Sequence, residues 1–179
     1  MLNPEYESLA TNYLHEVRRS LRAYKRLAEG AMAQVSDEEF LRKPDPESNS
    51  IAVVVKHIAG NLRSRWTDFL TTDGEKPDRR REQEFEDQTA TRGDLMRAWE
   101  ESWEVLFREL EKLRPEDLER SVTIQGEPYP VMKAINVAAN HYSYHIGQIV
   151  FLAKHFRGGD WKSLRTPRPG QERYTGKPK

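Results

Sequence analysis

The chain has 179 residues, enough for one domain with a sizeable core, and its 29 basic and 29 acidic side chains balance. That balance excludes a global field favouring nucleic acid or an anionic membrane, and the lack of cysteine excludes disulfides, thiolate metal ligands and a cysteine nucleophile. Charged residues at 32% and a mean hydropathy of −0.88 describe a strongly hydrated surface; the 36% of apolar residues cluster at helical spacing and so still specify a core.

Asn3 is expected as the N-cap of a first helix, with Pro4 at its first position and Glu5 and Glu7 at the positive end of its dipole. Leu9, Tyr13, Val17, Leu21, Tyr24, Ala28 and Ala31 recur every three or four residues and predict one core-facing stripe. Arg18, Arg19, Arg22, Lys25 and Arg26 read as its hydrated side. Ser36 to Leu41 predicts a single short turn of helix. The breaker cluster from Lys43 to Ser50 ends in good N-cap residues, so a second long helix should run from Asn49 or Ser50 to about Leu70.

Residues 75–90 are almost all polar: Arg79, Arg80 and Arg81 are followed by Glu82, Glu84, Glu86 and Asp87. Hairpin connections between bundle helices usually take about 2–8 residues. A longer one predicts a crossover, with the second and third long helices parallel. Thr91 to Asp94 resembles a capping box and opens the third helix, with Leu95, Trp99, Trp103 (or Ser102), Leu106, Leu110 and Leu113 on one side. Pro115 stops it. Ser121 to Pro130 alternates weakly about Gly126, which allows a small β-hairpin. The fourth helix takes Val131 to Phe156, and the basic Gly- and Pro-containing tail, residues 157–179, carries Lys162, Arg165, Arg168, Arg173, Lys177 and Lys179. This tail has two readings: a disordered segment, or one anchored by Trp161, Leu164 and Tyr174. The longest apolar run, Ile51 to Val55, is too short to span a bilayer, and the acidic start lacks a signal-peptide plan, so a cytoplasmic protein with no membrane partner is expected.

The histidines carry the chemistry. His141 and His145 are four apart in the fourth helix and therefore share a face. His57 lies in the second long helix after Val53-Val54-Val55. Three neutral imidazoles can hold a divalent metal and leave a position open for water or substrate, as in catalytic zinc sites. Buried histidines bonded to tyrosines or backbone are the plainer reading, and an i,i+4 pair alone is a weak motif. His15, bordering the charged side of the first helix, and His155, in the cationic end of the fourth beside Lys154 and Arg157, read as ordinary structural or surface histidines. Asn61, one turn after His57, and Gln148, three residues after His145, are candidates to orient a ligand or a bound water from behind. No zincin motif is present, because Tyr142 follows His141 where a catalytic Glu would stand. No carboxylate occurs between Val131 and Phe156, so a base would come from another helix, a metal-bound water or the substrate. No catalytic residue is identifiable.

Asn49-Ser50-Ile51 leading into Lys56-His57-Ile58-Ala59-Gly60-Asn61, followed by His141-Tyr-Ser-Tyr-His145-Ile-Gly-Gln-Ile-Val150, resembles the DinB-like superfamily. That group includes damage-inducible proteins, mycothiol-dependent maleylpyruvate isomerases and bacillithiol transferases. The resemblance runs from about Pro4 to Phe156 and is to a branch of unassigned function that shares the Trp161-containing tail. It implies an all-α, up-down-down-up four-helix bundle over residues 1–156, often a homodimer, with a divalent metal on His57, His141 and His145. Zinc or nickel suits such ligands, with iron or manganese as further candidates.

Three functions compete. The resemblance favours thiol transfer or isomerisation, with a small-molecule thiol and an electrophile as substrates and Arg63, Arg65 or the basic tail as candidate anion-binding groups. Hydrolysis is the close alternative. A non-catalytic metalloprotein, its metal clamping two helices, is the third. A nucleic-acid role is disfavoured, because the acidic run balances Arg79-Arg80-Arg81 and no reader motif accompanies it.

Overall fold

The computed structural model describes residues 4–86 and 90–176. Asn3, the expected first N-cap, therefore lies outside the described residues, as do Asp87 of the acidic run and Lys177 and Lys179 of the tail. The helices are α1 (Pro4–Met32), α2 (Asp37–Leu41), α3 (Ile51–Trp66), α4 (Arg92–Lys112) and α5 (Val131–Arg157). Between α4 and α5 a two-stranded antiparallel hairpin pairs β1 (Ser121–Ile124) with β2 (Glu127–Pro130). Gln125 and Gly126 turn it, both at positive φ.

Local chemistry sets the boundaries. Ser50 caps α3 by accepting from the Val53 N–H, and Thr91 and Asp94 form the reciprocal box that opens α4. The expected end of α3 at Leu70 is corrected to Trp66: Asp68 takes φ 51° and breaks the helix into a turn. On α1 the buried stripe begins at Ala10 and Leu14, and Leu9 is 70% exposed. The spacing explains the correction. Each step of four overshoots a helical turn by about 40°, so Leu9 lies about 120° around the helix from Leu21.

Side-chain bonds give the directions of the long helices. Tyr13 bonds Asn136 near the starts of α1 and α5, and Gln34, just beyond α1, bonds Lys162, just beyond α5, so these two run parallel. Trp99 reaches Glu29 while Arg22 reaches Glu111, so α1 and α4 are antiparallel. His57 meets His141 and His145 while Trp66 and Ala134 face one cavity, so α3 runs against α5. The order is up-down-down-up, with the crossover between α3 and α4. Trp66, Trp99, Trp103 and Tyr142 fill the centre and are fully buried.

The tail returns along α1. Trp161 is buried, Tyr174 N–H donates to the Ser163 carbonyl, and Leu164 packs so close to Gly30 that a Cβ there would lie 2.9 Å from it. Among the described residues no helix is long and apolar enough to cross a membrane.

Candidate metal centre

His57 enters from α3, and His141 and His145 from successive turns of α5. The His141 Nε2 lies 3.1 Å from the Nε2 of His57 and 3.1 Å from that of His145. One ring nitrogen from each of the three falls within 4.8 Å of the other two. His57 is buried, and its ring lies 4.8 Å from that of Phe85.

The opposite edges of the rings are held from behind. His57 Nδ1 is 2.9 Å from Glu84 Oε2, and His145 Nδ1 is 2.8 Å from Gln148 Oε1. Both partners accept, so both Nδ1 atoms donate and both Nε2 atoms carry lone pairs toward His141. His141 Nδ1 is buried with no partner. Burial, then the nearby His145 and His57, push the His141 pKa down to about 3, so it does not ionise to relieve the crowding; burial also lowers that of His145. Three Nε2 atoms around a tetrahedral ion at about 2.0–2.1 Å would stand roughly 3.3 Å apart, close to the spacing found. A divalent cation satisfies all three lone pairs at once, whereas a single shared proton does not. The residues fit the ion.

Glu84 is the neighbour of the cluster that sequence reasoning missed. It comes from the 3-10 turn Glu82–Phe85, inside the polar segment read only as a crossover with an acidic run. Burial works to raise its pKa, but bonds from His57 and Arg79 outweigh that and hold the carboxylate below its ordinary range. Arg79 donates from Nε to Oε1 at 2.9 Å and from Nη2 to Oε2 at 3.0 Å. The one signal in the sequence was Gly60. A glycine inside a helix costs stability, and here a Cβ would lie 2.3 Å from Glu84 Oε1.

Asn61 is not hydrogen-bonded to the imidazoles. The Tyr142 hydroxyl donates to its Oδ1 at 3.0 Å and accepts from Trp66 Nε1 at 3.0 Å. This chain fixes the amide at the wall of a cavity of about 350 Å³ that also reaches His57 and His141. Arg65, Glu75 and Arg79 line the same space, together with the hairpin. Arg63 does not line it, nor does any described tail residue. Asp73 joins loop to hairpin, accepting from the N–H groups of Glu75, Gln125 and Gly126 at 2.7–2.9 Å, while Gly74 N–H donates to the Thr123 carbonyl. His15 is an exposed neighbour of Glu16, and His155 stacks on Phe151, both away from the cluster.

The family described as "Protein of unknown function (DUF1572)" matches residues 8–170. The chain belongs to this DinB-like family. A crystal structure of a DinB-like protein from Bacillus subtilis, YjoA, superposes with a TM-score of 0.62 at 17% identity, over 88% of this chain and 99% of that one. At that identity the likeness shows the fold alone, and the fold is the bundle with its crossover. No curated protein matches the sequence.

Proposed function

We propose that this protein binds one divalent metal ion through His57, His141 and His145 and uses the open side of that centre for thiol transfer or isomerisation. The observation that carries the reading is the convergence of three Nε2 atoms beside a cavity lined by two of the ligands. Zinc or nickel suits the neutral imidazole set best, ahead of iron or manganese. When bound, such an ion acts as a Lewis acid that lowers the pKa of a coordinated thiol or water.

The protein's own groups do the rest. Glu84 and Gln148 hold the Nδ1 protons of His57 and His145, which turns both Nε2 lone pairs to one point. The Glu84 charge is already paired with Arg79, so its part is to fix the His57 tautomer. Asn61, its oxygen taken by Tyr142, presents an amide donor to whatever fills the cavity. Glu75 is the carboxylate on the cavity wall, and it is shared between Arg65 and Arg79. It is poorly placed to serve as a general base for water. A thiol, with a pKa near 8.5, needs less help to ionise, which supports thiol chemistry over hydrolysis. A cytoplasmic setting, where small thiols stay reduced, suits this reading.

The test is conjugation of a small thiol with a fluorogenic electrophile by metal-loaded, chelated and reloaded protein. Turnover that disappears with the metal and returns with it supports the reading. Ester hydrolysis under the same switch, without conjugation, makes the protein a hydrolase, and activity in neither assay leaves the metal a clamp between α3 and α5.

We also propose a homodimer. Tyr144 and Phe151, seven apart on α5, are 65% and 70% exposed and form an apolar strip suited to a second copy of the same helix. Light scattering at twice the chain mass is the expected result, reduced to the monomer by Phe151→Asp.

A further inference from the structure

His57, Asn61 and Arg65 stand at intervals of four on α3, so they share one face over about 12 Å of helix axis. All three line the cavity, and across it α5 offers Ala134 and Ala138, whose small side chains leave room for a ligand. The stripe thus runs from a metal ligand, through an amide, to a guanidinium.

The guanidinium end is unsatisfied. Arg65 Nη2 is 3.3 Å from Glu75 Oε2, but Nη1 is buried and has no hydrogen-bond partner. Glu75 is divided with Arg79, and the Asp73 carboxylate is occupied by three backbone N–H groups. A buried charged donor without an acceptor is costly, and a planar guanidinium edge matches a carboxylate. The Arg65 side chain keeps 21% of its surface exposed and lines the cavity, so its guanidinium is within reach of a ligand there. Glu75 beside it disfavours a dianion such as phosphate through like-charge repulsion.

Building on the metal reading above, we infer that the cavity takes an elongated small molecule whose carboxylate is held by Arg65 while its opposite end reaches the histidine cluster. Arg65 is then the specificity-determining residue, and the distance along α3 selects for length.

The experiment uses full-length protein loaded with cobalt, whose visible absorption reports metal uptake before any ligand is added. ω-Mercaptocarboxylates of increasing chain length are titrated against ω-mercaptoalcohols of the same lengths, following the sulfur-to-cobalt charge-transfer band. At one preferred length the acid should bind roughly tenfold tighter than the alcohol, a difference of about 1.4 kcal/mol. Arg65→Met should abolish that advantage and leave alcohol affinity unchanged, and Arg65→Lys, which keeps the charge without the planar fork, should retain part of it. Equal affinity of acids and alcohols at every length in the wild type overturns the inference and leaves the metal centre standing. An advantage that survives Arg65→Met overturns it too. Failure to take up cobalt overturns both readings and is seen before the first thiol is added.

Discussion

Glu84 Oε2 lies 2.9 Å from His57 Nδ1, joining a metal-ligand candidate on α3 to a carboxylate 27 residues later in the crossover loop. The connection that links two parallel helices therefore also sets the tautomer of His57. Replacing Glu84 with Ala removes the acceptor and should weaken metal affinity roughly 10–100-fold, the usual range for losing such a partner. Glu84→Gln keeps an acceptor without the charge and should lose less. Competition with a chromophoric chelator measures both.

Gly60 offers a sharper test of the same contact. By helix propensity alone Gly60→Ala should stabilise α3 by about 1 kcal/mol. The added methyl would clash with the Glu84 carboxylate, which must then shift from its place between Arg79 and His57. The expected outcome is a fall in metal affinity resembling that of Glu84→Ala, with far-UV circular dichroism unchanged. An Ala variant that binds metal like wild type would remove Glu84 from the site.

Asp73 ties the loop to the hairpin through three backbone N–H groups, and that tie should depend on its ionisation. Hydrogen bonds from Glu75 N–H, then Gly126 N–H, hold its carboxylate below its ordinary pKa of 3.8. A depressed folded pKa stabilises the ionised form, so the contribution is full above about pH 4 and fades as pH falls through the depressed value. Amide hydrogen exchange of Gln125 and Gly126 should accelerate as pH drops below that point, relative to a base-catalysis control. In Asp73→Asn the acceleration should already be present at neutral pH.

Tyr142→Phe tests the support under Asn61. It strands the Trp66 indole N–H in the core and releases the Asn61 carbonyl. A buried donor left without its acceptor should cost about 1–3 kcal/mol in urea unfolding. The imidazoles do not use this hydroxyl, so metal stoichiometry should be unchanged.

Much of the architecture was legible because helices announce themselves by period and caps. Trp99, Leu106 and Leu110 fell on the buried side as read, and Ser50 and Thr91 are the caps their residue types promised. The parallel α3–α4 pair followed from the length of the crossover. Leu9 was misplaced because a strict repeat of four drifts around a helix. Glu84 and Arg79 were hidden for another reason: in a polar loop no periodicity separates a buried charge from a hydrated one, and their burial depends on each other and on His57. Gln148 sits against His145 simply because residues three apart on a helix are neighbours.

The most direct measurement is metal content by inductively coupled plasma mass spectrometry, on tag-free protein purified without chelator. Wild type and His155→Ala should carry about one divalent ion per chain, and His57→Ala, His141→Ala and His145→Ala should each lose it while keeping their helical content. Wild-type protein that stays metal-free after reconstitution with zinc, nickel, iron or manganese would contradict the metal centre and leave three packed histidines in its place.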